Sequence, residues 1–167
     1  LTVHKDAPQL GERSLIVEGL TVIDAKDQIV VNDVSFDVRA GEIVAVAGVQ
    51  GNGQTELIKA IMGLQPVLAG SISVAGERID GWSTKKVLGA GVGYVPEDRS
   101  SDGVVKEFSV AENLILDLYD RTPFASGPAL NRDAIAGSAK ERVEQFDIRT
   151  SSPGAAVGTL SGGNQQK

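Results

Sequence analysis

Two stretches near the start of the chain alternate between apolar and polar residues. They cover 15–22 and 29–38, and in the second stretch every other residue from 34 to 38 is Val or Phe. A period of two residues is typical of a β-strand with one buried face. The polar turn 24–27 separates the two stretches. The pattern therefore predicts a pair of adjacent antiparallel strands.

The pattern changes in the next part of the chain. Residues 43–47 form the continuously apolar run Ile-Val-Ala-Val-Ala, which is typical of a strand buried on both faces. A glycine-rich stretch, 48–53, follows it. Beyond that stretch, Gly63 is placed to end a helix whose apolar face comprises Leu57, Ile58, Ile61 and Met62. The sequence predicts a strand, a glycine loop and a helix in direct succession.

Weaker signals predict short elements in the rest of the chain. Alternation in 71–74 and an apolar run at 92–95, stopped by a proline, predict two further strands. Ser109 and Glu112 have the spacing of a capping box, so we expect a helix from there through Leu118.

A second helix is expected after the loop that follows. Asn131 is its predicted cap, and its apolar face comprises Ile135, Ala139, Val143 and Phe146. The layout is then a set of antiparallel strands, a buried strand with its loop and helix, and a helical section. This order predicts a mixed α/β protein.

The composition narrows the classes of function. The chain has 167 residues, enough for one domain with a core, and its net charge of −6 argues against binding to nucleic acid or an anionic membrane surface. It contains no cysteine and a single histidine, His4, which excludes disulfide frameworks, thiolate or histidine metal clusters and Ser-His-Asp triads. No apolar run approaches the roughly 18 residues of a membrane helix. We expect a soluble domain from a reducing compartment.

The stretch 48–55, Gly-Val-Gln-Gly-Asn-Gly-Gln-Thr, differs at one position from the phosphate-binding pattern G-x-x-x-x-G-K-[ST]. Backbone N–H groups of such a loop can hold phosphate oxygens, and Thr55 has the hydroxyl that completes a Mg²⁺ shell. The alternative is a strand-to-helix turn that needs glycine only for its positive φ. Gln54 replaces the lysine and supplies a neutral donor instead of a full charge, so we expect weak binding and little or no hydrolysis.

The last eight residues, Leu-Ser-Gly-Gly-Asn-Gln-Gln-Lys, follow the glycine loop by about 110 residues. As plain chemistry they are a serine cap and two glycines that let a backbone approach an anion. The octapeptide resembles the signature motif of ATP-binding-cassette (ABC) ATPases, and its distance from the loop resembles theirs. The stretch 93–99, Gly-Tyr-Val-Pro-Glu-Asp-Arg, is similar to the second cassette of double-cassette ATPases that energise bacterial sugar and nucleoside importers. The stretches 110–117 and 146–150 resemble the branch for nucleosides or simple ribose compounds.

The resemblance covers about 15–167 and implies an α/β fold. This fold is a P-loop NTPase (ABC ATPase) core with an antiparallel β subdomain and a helical subdomain, lacking the C-terminal core strands. Residues 1–14 are expected to be a linker or arm, and 15–167 a partial nucleotide-binding domain. Within it, we expect the antiparallel β and P-loop core at 15–95, the Q-loop region at 96–108, and the helical subdomain with the signature motif at 109–167.

The resemblance also assigns candidate site residues. Those expected at the nucleotide are Gly48, Val49, Gln50, Gly51, Asn52, Gly53, Gln54, Thr55 and Glu56; those of the signature motif are Leu160, Ser161, Gly162, Gly163, Asn164 and Gln165. Glu97 stands at the Q-loop position, where the family usually has glutamine, and Thr55 and Glu97 are the candidate Mg²⁺ contacts. No aromatic residue between Leu20 and Ile29 is available to stack on adenine. ATP and Mg²⁺ are therefore the expected ligands, both bound weakly.

The implied function is that of the ATP-binding subunit of an ABC importer for simple sugars or nucleosides. Its own site would be degenerate, while Ser161, Gly162 and Gly163 would face the γ-phosphate bound by a partner. The expected partners are a second ATPase cassette, membrane permease subunits and, indirectly, a solute-binding protein, but no nucleic acid. The expected location is peripheral, on the cytoplasmic face of the cell membrane. The alternative is a non-catalytic docking domain that retains the ABC ATPase fold, which the intact signature motif disfavours.

In this family the Mg²⁺-binding aspartate, the catalytic glutamate and the switch histidine follow the position of Lys167. We therefore expect a piece of a longer ATPase, with no catalytic residue of its own and no hydrolysis by itself. Without the strand that follows, an edge of the central sheet would be exposed, which predicts self-association or an incompletely formed core.

Overall fold

The structure is a computed structural model that describes residues 9–167. The chain forms two compact units, one ending at Gly93 and the other running from Tyr94 to Lys167. The first eight residues of the predicted N-terminal arm lie outside the described residues. Within the described part of the chain, every helix is too short or too polar to cross a membrane.

The first unit contains a four-stranded antiparallel sheet. Its strands are β1 (Arg13–Ile23), β2 (Ile29–Arg39), β3 (Val67–Val74) and β4 (Glu77–Arg78), in the spatial order β2-β1-β3-β4. Val17 of β1 lies opposite Phe36 of β2, and Leu20 lies opposite Val34. This antiparallel pairing of β1 with β2 confirms the predicted pair of strands. The inward side chains of β1 and β3 are almost completely buried.

Helix α1 (Gln54–Ile61) packs its apolar face into the same unit, and a shorter helix, α2 (Thr84–Gly89), follows β4. The end of α1 is fixed by Gly63, whose φ is 68°. The N–H of Gly63 donates to the carbonyl of Ala60, and the N–H of Leu64 donates to that of Lys59. This is a Schellman motif, and it confirms the predicted helix end.

The predicted strands at 43–47 and 92–95 are absent from the structure. Neither segment belongs to a strand, and the side chains of Ile43 and Val95 are 95% and 88% exposed. The prediction that 43–47 is buried on both faces is therefore wrong for the described residues. A run of this kind becomes a buried strand only when strands pair with both of its edges and helices cover both faces, and no described segment pairs with it.

The second unit is mainly helical. A π-helical turn at Arg99–Gly103 precedes α3 (Val110–Asn113); then come the hairpin strands β5 (Ala125–Ser126) and β6 (Ala129–Leu130), helix α4 (Arg132–Gln145), a 3₁₀ turn (Val157–Thr159) and α5 (Gly162–Gln165). Ile115, Phe124 and Ile135 form the small apolar cluster that holds α3 and α4 together. The signature segment at the end of the chain therefore belongs to this helical unit.

Both predicted helix starts in this unit are confirmed. Ser109 and Glu112 form a complete capping box, and the side chain of Asn131 accepts the N–H of Ala134 at 3.1 Å. Helix α3 is shorter than predicted because hydrogen bonds to the residue three positions back replace the α-helical ones, and Leu118 N–H donates to Ile115. The predicted apolar face of α4 is only partly correct, since Phe146 is 46% exposed.

Candidate functional site

The glycine loop between residue 48 and α1 is shaped by contact with strand β2. Gly53 is buried with φ 92°, and a Cβ at this position would run into the carbonyl of Val30. Gly51 also has a positive φ, of 87°. Helix α1 starts directly after Gly53, and no side chain caps it. The N–H groups of its first turn therefore have no hydrogen bond to a capping side chain. The loop therefore has the backbone of an anion-binding turn.

The side chain of Gln54 folds back onto this loop. Its Nε2 donates to the carbonyl of Val49 at 3.3 Å, and the amide lies so close to Gly48 that a Cβ there would overlap it. The side-chain amide of Gln54 is thus partly occupied by a hydrogen bond within the loop. A lysine at this position would offer a positive charge. Its ammonium group would form a stronger hydrogen bond with a phosphate oxygen than with a backbone carbonyl, so it would remain available to the ligand.

A cavity beside the loop has a volume of about 410 Å³. Its walls are mostly apolar, and no Lys or Arg is among its lining residues, which are Val30, Val31, Asn32, Val34, Val46, Ala47, Gly48, Asn52, Gly53, Gln54 and Leu57. A triphosphate carries several negative charges, which bind tightly where cations and oriented N–H groups converge. This loop supplies the N–H groups but no cation.

The candidate metal contacts lie in different units. Thr55 is exposed in the first turn of α1, and Glu97 is exposed in the second unit. Between residues 9 and 167, no group of three or more His, Cys, Asp or Glu side chains is placed to hold a metal ion. Any Mg²⁺ would depend on oxygen ligands that arrive with the nucleotide, as is usual for this ion.

The signature segment is anchored to the rest of the helical unit by backbone and amide hydrogen bonds. The segment before it runs along the start of α3, where the N–H of Val157 donates to Phe108 at 2.9 Å. Gln165 Nε2 donates to the carbonyls of Val157 and Leu160, at 3.2 and 3.0 Å. These bonds fix the entry into α5, so its first residues keep a defined orientation.

Ser161 precedes α5 and is exposed, but its side chain does not cap the helix. Its Oγ instead accepts a hydrogen bond from Asn164 Nδ2 at 3.0 Å. The Oδ1 of the same amide accepts the backbone N–H of Arg149 at 3.0 Å. Sequence reasoning missed Arg149, because it lies 15 residues before Asn164 and participates through its backbone only.

Gly163 leaves one side of this helix start open. A Cβ on Gly163 would meet no atom within 4 Å, and its φ is not in the left-handed region. Glycine costs about 1 kcal/mol relative to alanine within a helix. Nothing inside the described chain requires glycine at this position, whereas a large anion approaching the backbone from outside would require it.

Comparison with known proteins identifies the family of this chain. The family model described as ABC transporter matches residues 31–167. The guanosine import ATP-binding protein NupO of Bacillus subtilis is 38% identical over 98% of this chain, which corresponds to 32% of that protein. The nucleoside import ATP-binding protein NupA of Lactococcus lactis is 43% identical over 98% of this chain and 32% of its own length.

Solved structures agree with this family in their fold. A nucleotide-free ATP-binding cassette from an ABC transporter superimposes with a TM-score of 0.71 at 20% identity, covering 92% of this chain and 61% of that one. A cassette in a dimeric post-hydrolysis state with ADP and Pi gives a TM-score of 0.70 at 17% identity, covering 90% and 65%. The chain belongs to the ABC transporter family, has the fold of its ATP-binding cassettes, and spans about a third of the length of the curated relatives above.

Proposed function

Starting from this family membership, we propose that the chain is the ATP-binding part of an importer for nucleosides or simple sugars. The names of the relatives support this substrate class, because they describe guanosine, nucleoside and ribose import. The proposed partners are a second ATPase cassette and membrane permease subunits, with a solute-binding protein acting through the permease. The chain would then sit peripherally on the cytoplasmic face of the membrane.

Within this importer, the phosphate loop and the signature segment have different roles. The chain's own phosphate loop binds Mg·ATP weakly, through the loop N–H groups and Thr55. The signature segment completes the ATP site of the partner cassette, with Ser161 and the N–H groups of Gly162 and Gly163 facing the γ-phosphate. The observation that carries this proposal is the contrast between Gln54, which bonds its own loop, and the exposed Ser161 close to Gly163, where nothing in the described chain requires glycine.

The experiment that tests the first role is calorimetric titration of Mg·ATP into the purified chain and into its Gln54→Lys variant. We expect weak or undetectable binding by the unaltered chain and at least about tenfold tighter binding by the variant, since hydrogen bonds to charged groups contribute roughly 1.5–3 kcal/mol. The matched control is Gln9→Lys, which adds the same charge to the same unit at an exposed position outside the loop.

Three outcomes would contradict the proposal. Tight binding by the unaltered chain would contradict the degenerate loop, and equal gains from both lysine variants would contradict a specific role for position 54. Unchanged ATP hydrolysis by an assembled transporter that carries Ser161→Ala would contradict the role of the signature segment. That last result would favour the alternative function, a docking domain that keeps only the fold.

A further inference from the structure

Asn164 occupies the centre of a short chain of hydrogen bonds. Its Oδ1 accepts from the backbone N–H of Arg149 and its Nδ2 donates to Ser161 Oγ, both at 3.0 Å. Asn164 is half-buried, and it is the third residue of α5, three positions after Ser161. The amide thus ties the helix start to the segment that follows α4.

The direction of each hydrogen bond in this chain follows from chemistry. A backbone N–H can only donate, so the atom of Asn164 that faces Arg149 must be the carbonyl oxygen. The NH₂ group of the amide then faces Ser161 and can only donate. Ser161 Oγ must accept, and its own hydroxyl hydrogen is left to point elsewhere.

No described acceptor takes that hydrogen. Ser161 is exposed, its oxygen does not cap α5, and no hydrogen bond donated by its hydroxyl is present within residues 9–167. A free hydroxyl samples three staggered orientations, and the bond from Asn164 excludes the one in which the hydrogen points toward the amide. The serine is therefore held as a hydrogen-bond donor toward the surface.

We propose that Asn164 is a positioning residue: it fixes the Ser161 hydroxyl as an outward donor for a phosphate oxygen. This inference rests on the proposed function, in which that oxygen belongs to ATP bound by the partner cassette. Arg149 contributes through its backbone N–H, which sets the orientation of the amide. Asn164 itself does not touch the phosphate.

The test reverses the hydrogen bond without removing it. In an Asn164→Asp variant, the carboxylate still accepts from Arg149 N–H, but it also accepts from the Ser161 hydroxyl and turns that hydrogen inward. We expect ATP hydrolysis by the assembled transporter to fall about 10- to 100-fold, the range for a lost hydrogen bond to a charged group. Asn164→Ala leaves the hydroxyl free to rotate among three orientations, so we expect a loss of less than about twofold.

Stability separates this role from a merely structural one. Removing the acceptor of the Arg149 N–H makes Asn164→Ala the less stable variant by about 1 kcal/mol, whereas Asn164→Asp retains both bonds. The order of activity is then wild type, Ala, Asp, while the order of stability places Ala last. Activity that follows stability would overturn the proposal, and a melting curve of each variant shows that it folds.

A double-mutant cycle with Ser161→Ala separates hydroxyl orientation from repulsion between the new carboxylate and phosphate. In the Ser161→Ala background we expect Asn164→Asp to change hydrolysis less than about twofold, because the oriented group is gone. A full loss in that background means charge repulsion and overturns the proposal. Gln145→Glu adds the same charge at an exposed residue at the end of α4, outside the signature segment, and we expect wild-type hydrolysis.

The outcomes also separate this inference from the proposed function. If the transporter with Ser161→Ala hydrolyses ATP normally, the signature segment does not complete the partner's ATP site, and Asn164 then has no positioning role either. If Ser161→Ala is impaired but Asn164→Asp is not, the role of the signature segment stands and only the positioning role is overturned.

Discussion

Two helices of the second unit begin with the same residue type and use it differently. Ser109 precedes α3 and Ser161 precedes α5, and each is followed three residues later by a side chain that bonds its hydroxyl. At Ser109 that side chain is Glu112, and the two residues form a complete capping box. The hydroxyl donates to the carboxylate at 2.7 Å, and its oxygen accepts the N–H of Glu112 at 3.2 Å.

At Ser161 the corresponding residue is Asn164, which donates instead of accepting. The hydroxyl oxygen is occupied, but the hydrogen is not, and the helix lacks a side-chain cap. The chemistry of the third residue thus decides whether a serine at a helix start serves the fold or remains available to a ligand. The neighbouring residues follow the same division, since α3 begins with Val110 and Ala111 and α5 with Gly162 and Gly163.

The largest expected effect comes from exchanging the small residues. Gly163→Ala should raise the free energy of unfolding by up to about 1 kcal/mol, because alanine is the better helix former and its Cβ meets open space. Hydrolysis by the assembled transporter should nevertheless fall about 100-fold, because a methyl group would displace the phosphate by about 1 Å. Urea unfolding and steady-state ATPase measurements on the same variant check both directions.

The matched exchange is Ala111→Gly at the equivalent position of α3, where we expect lower stability and unchanged hydrolysis. A Gly163→Ala variant that hydrolyses ATP normally would mean that no anion approaches this backbone.

A smaller effect is expected from removing the cap that serves the fold. Ser109→Ala should lower the free energy of unfolding by about 1–2 kcal/mol, because the capping box loses its hydroxyl and an N–H of α3 loses its acceptor. Ser161→Ala removes the same group from a serine that caps nothing, so we expect a change below about 0.5 kcal/mol. Equal losses of stability in urea unfolding would contradict the distinction between the two serines.

The smallest effect is a dependence on pH that only one helix start should show. The Ser109 hydroxyl and backbone N–H donate to the Glu112 carboxylate and hold its pKa below the ordinary value of 4.5. A lowered pKa in the folded state stabilises the fold above the unfolded-state pKa, and this contribution disappears as the pH falls through the folded-state pKa. The stability difference between wild type and Glu112→Gln should therefore shrink as the pH falls below 4.5.

The corresponding difference for Asn164→Ala should stay constant over the same pH range, since an amide does not titrate there. Urea unfolding over this pH range measures both stability differences. If the two differences changed with pH in the same way, the pH dependence would not come from the Glu112 carboxylate.

Local patterns predicted a large part of the fold. The pairing of β1 with β2 follows from alternation, and the end of α1 follows from Gly63. The capping box at Ser109 needs only residues three apart, so its spacing in the sequence was sufficient. The signature motif and the glycine loop were recognisable for the same reason, because each is a continuous run of residues that shapes its own backbone.

The sequence alone thus determined the pairing of β1 with β2, the helix caps at Ser109 and Asn131, and the family. Only the tertiary structure decided how two groups are used: Asn164 bonds the backbone of Arg149, and Ile43 is exposed despite an ideal strand pattern. The physical reason is distance along the chain. Propensity and capping depend on neighbours within a few positions, whereas burial of a strand and the direction of a hydrogen bond depend on which distant groups arrive beside it.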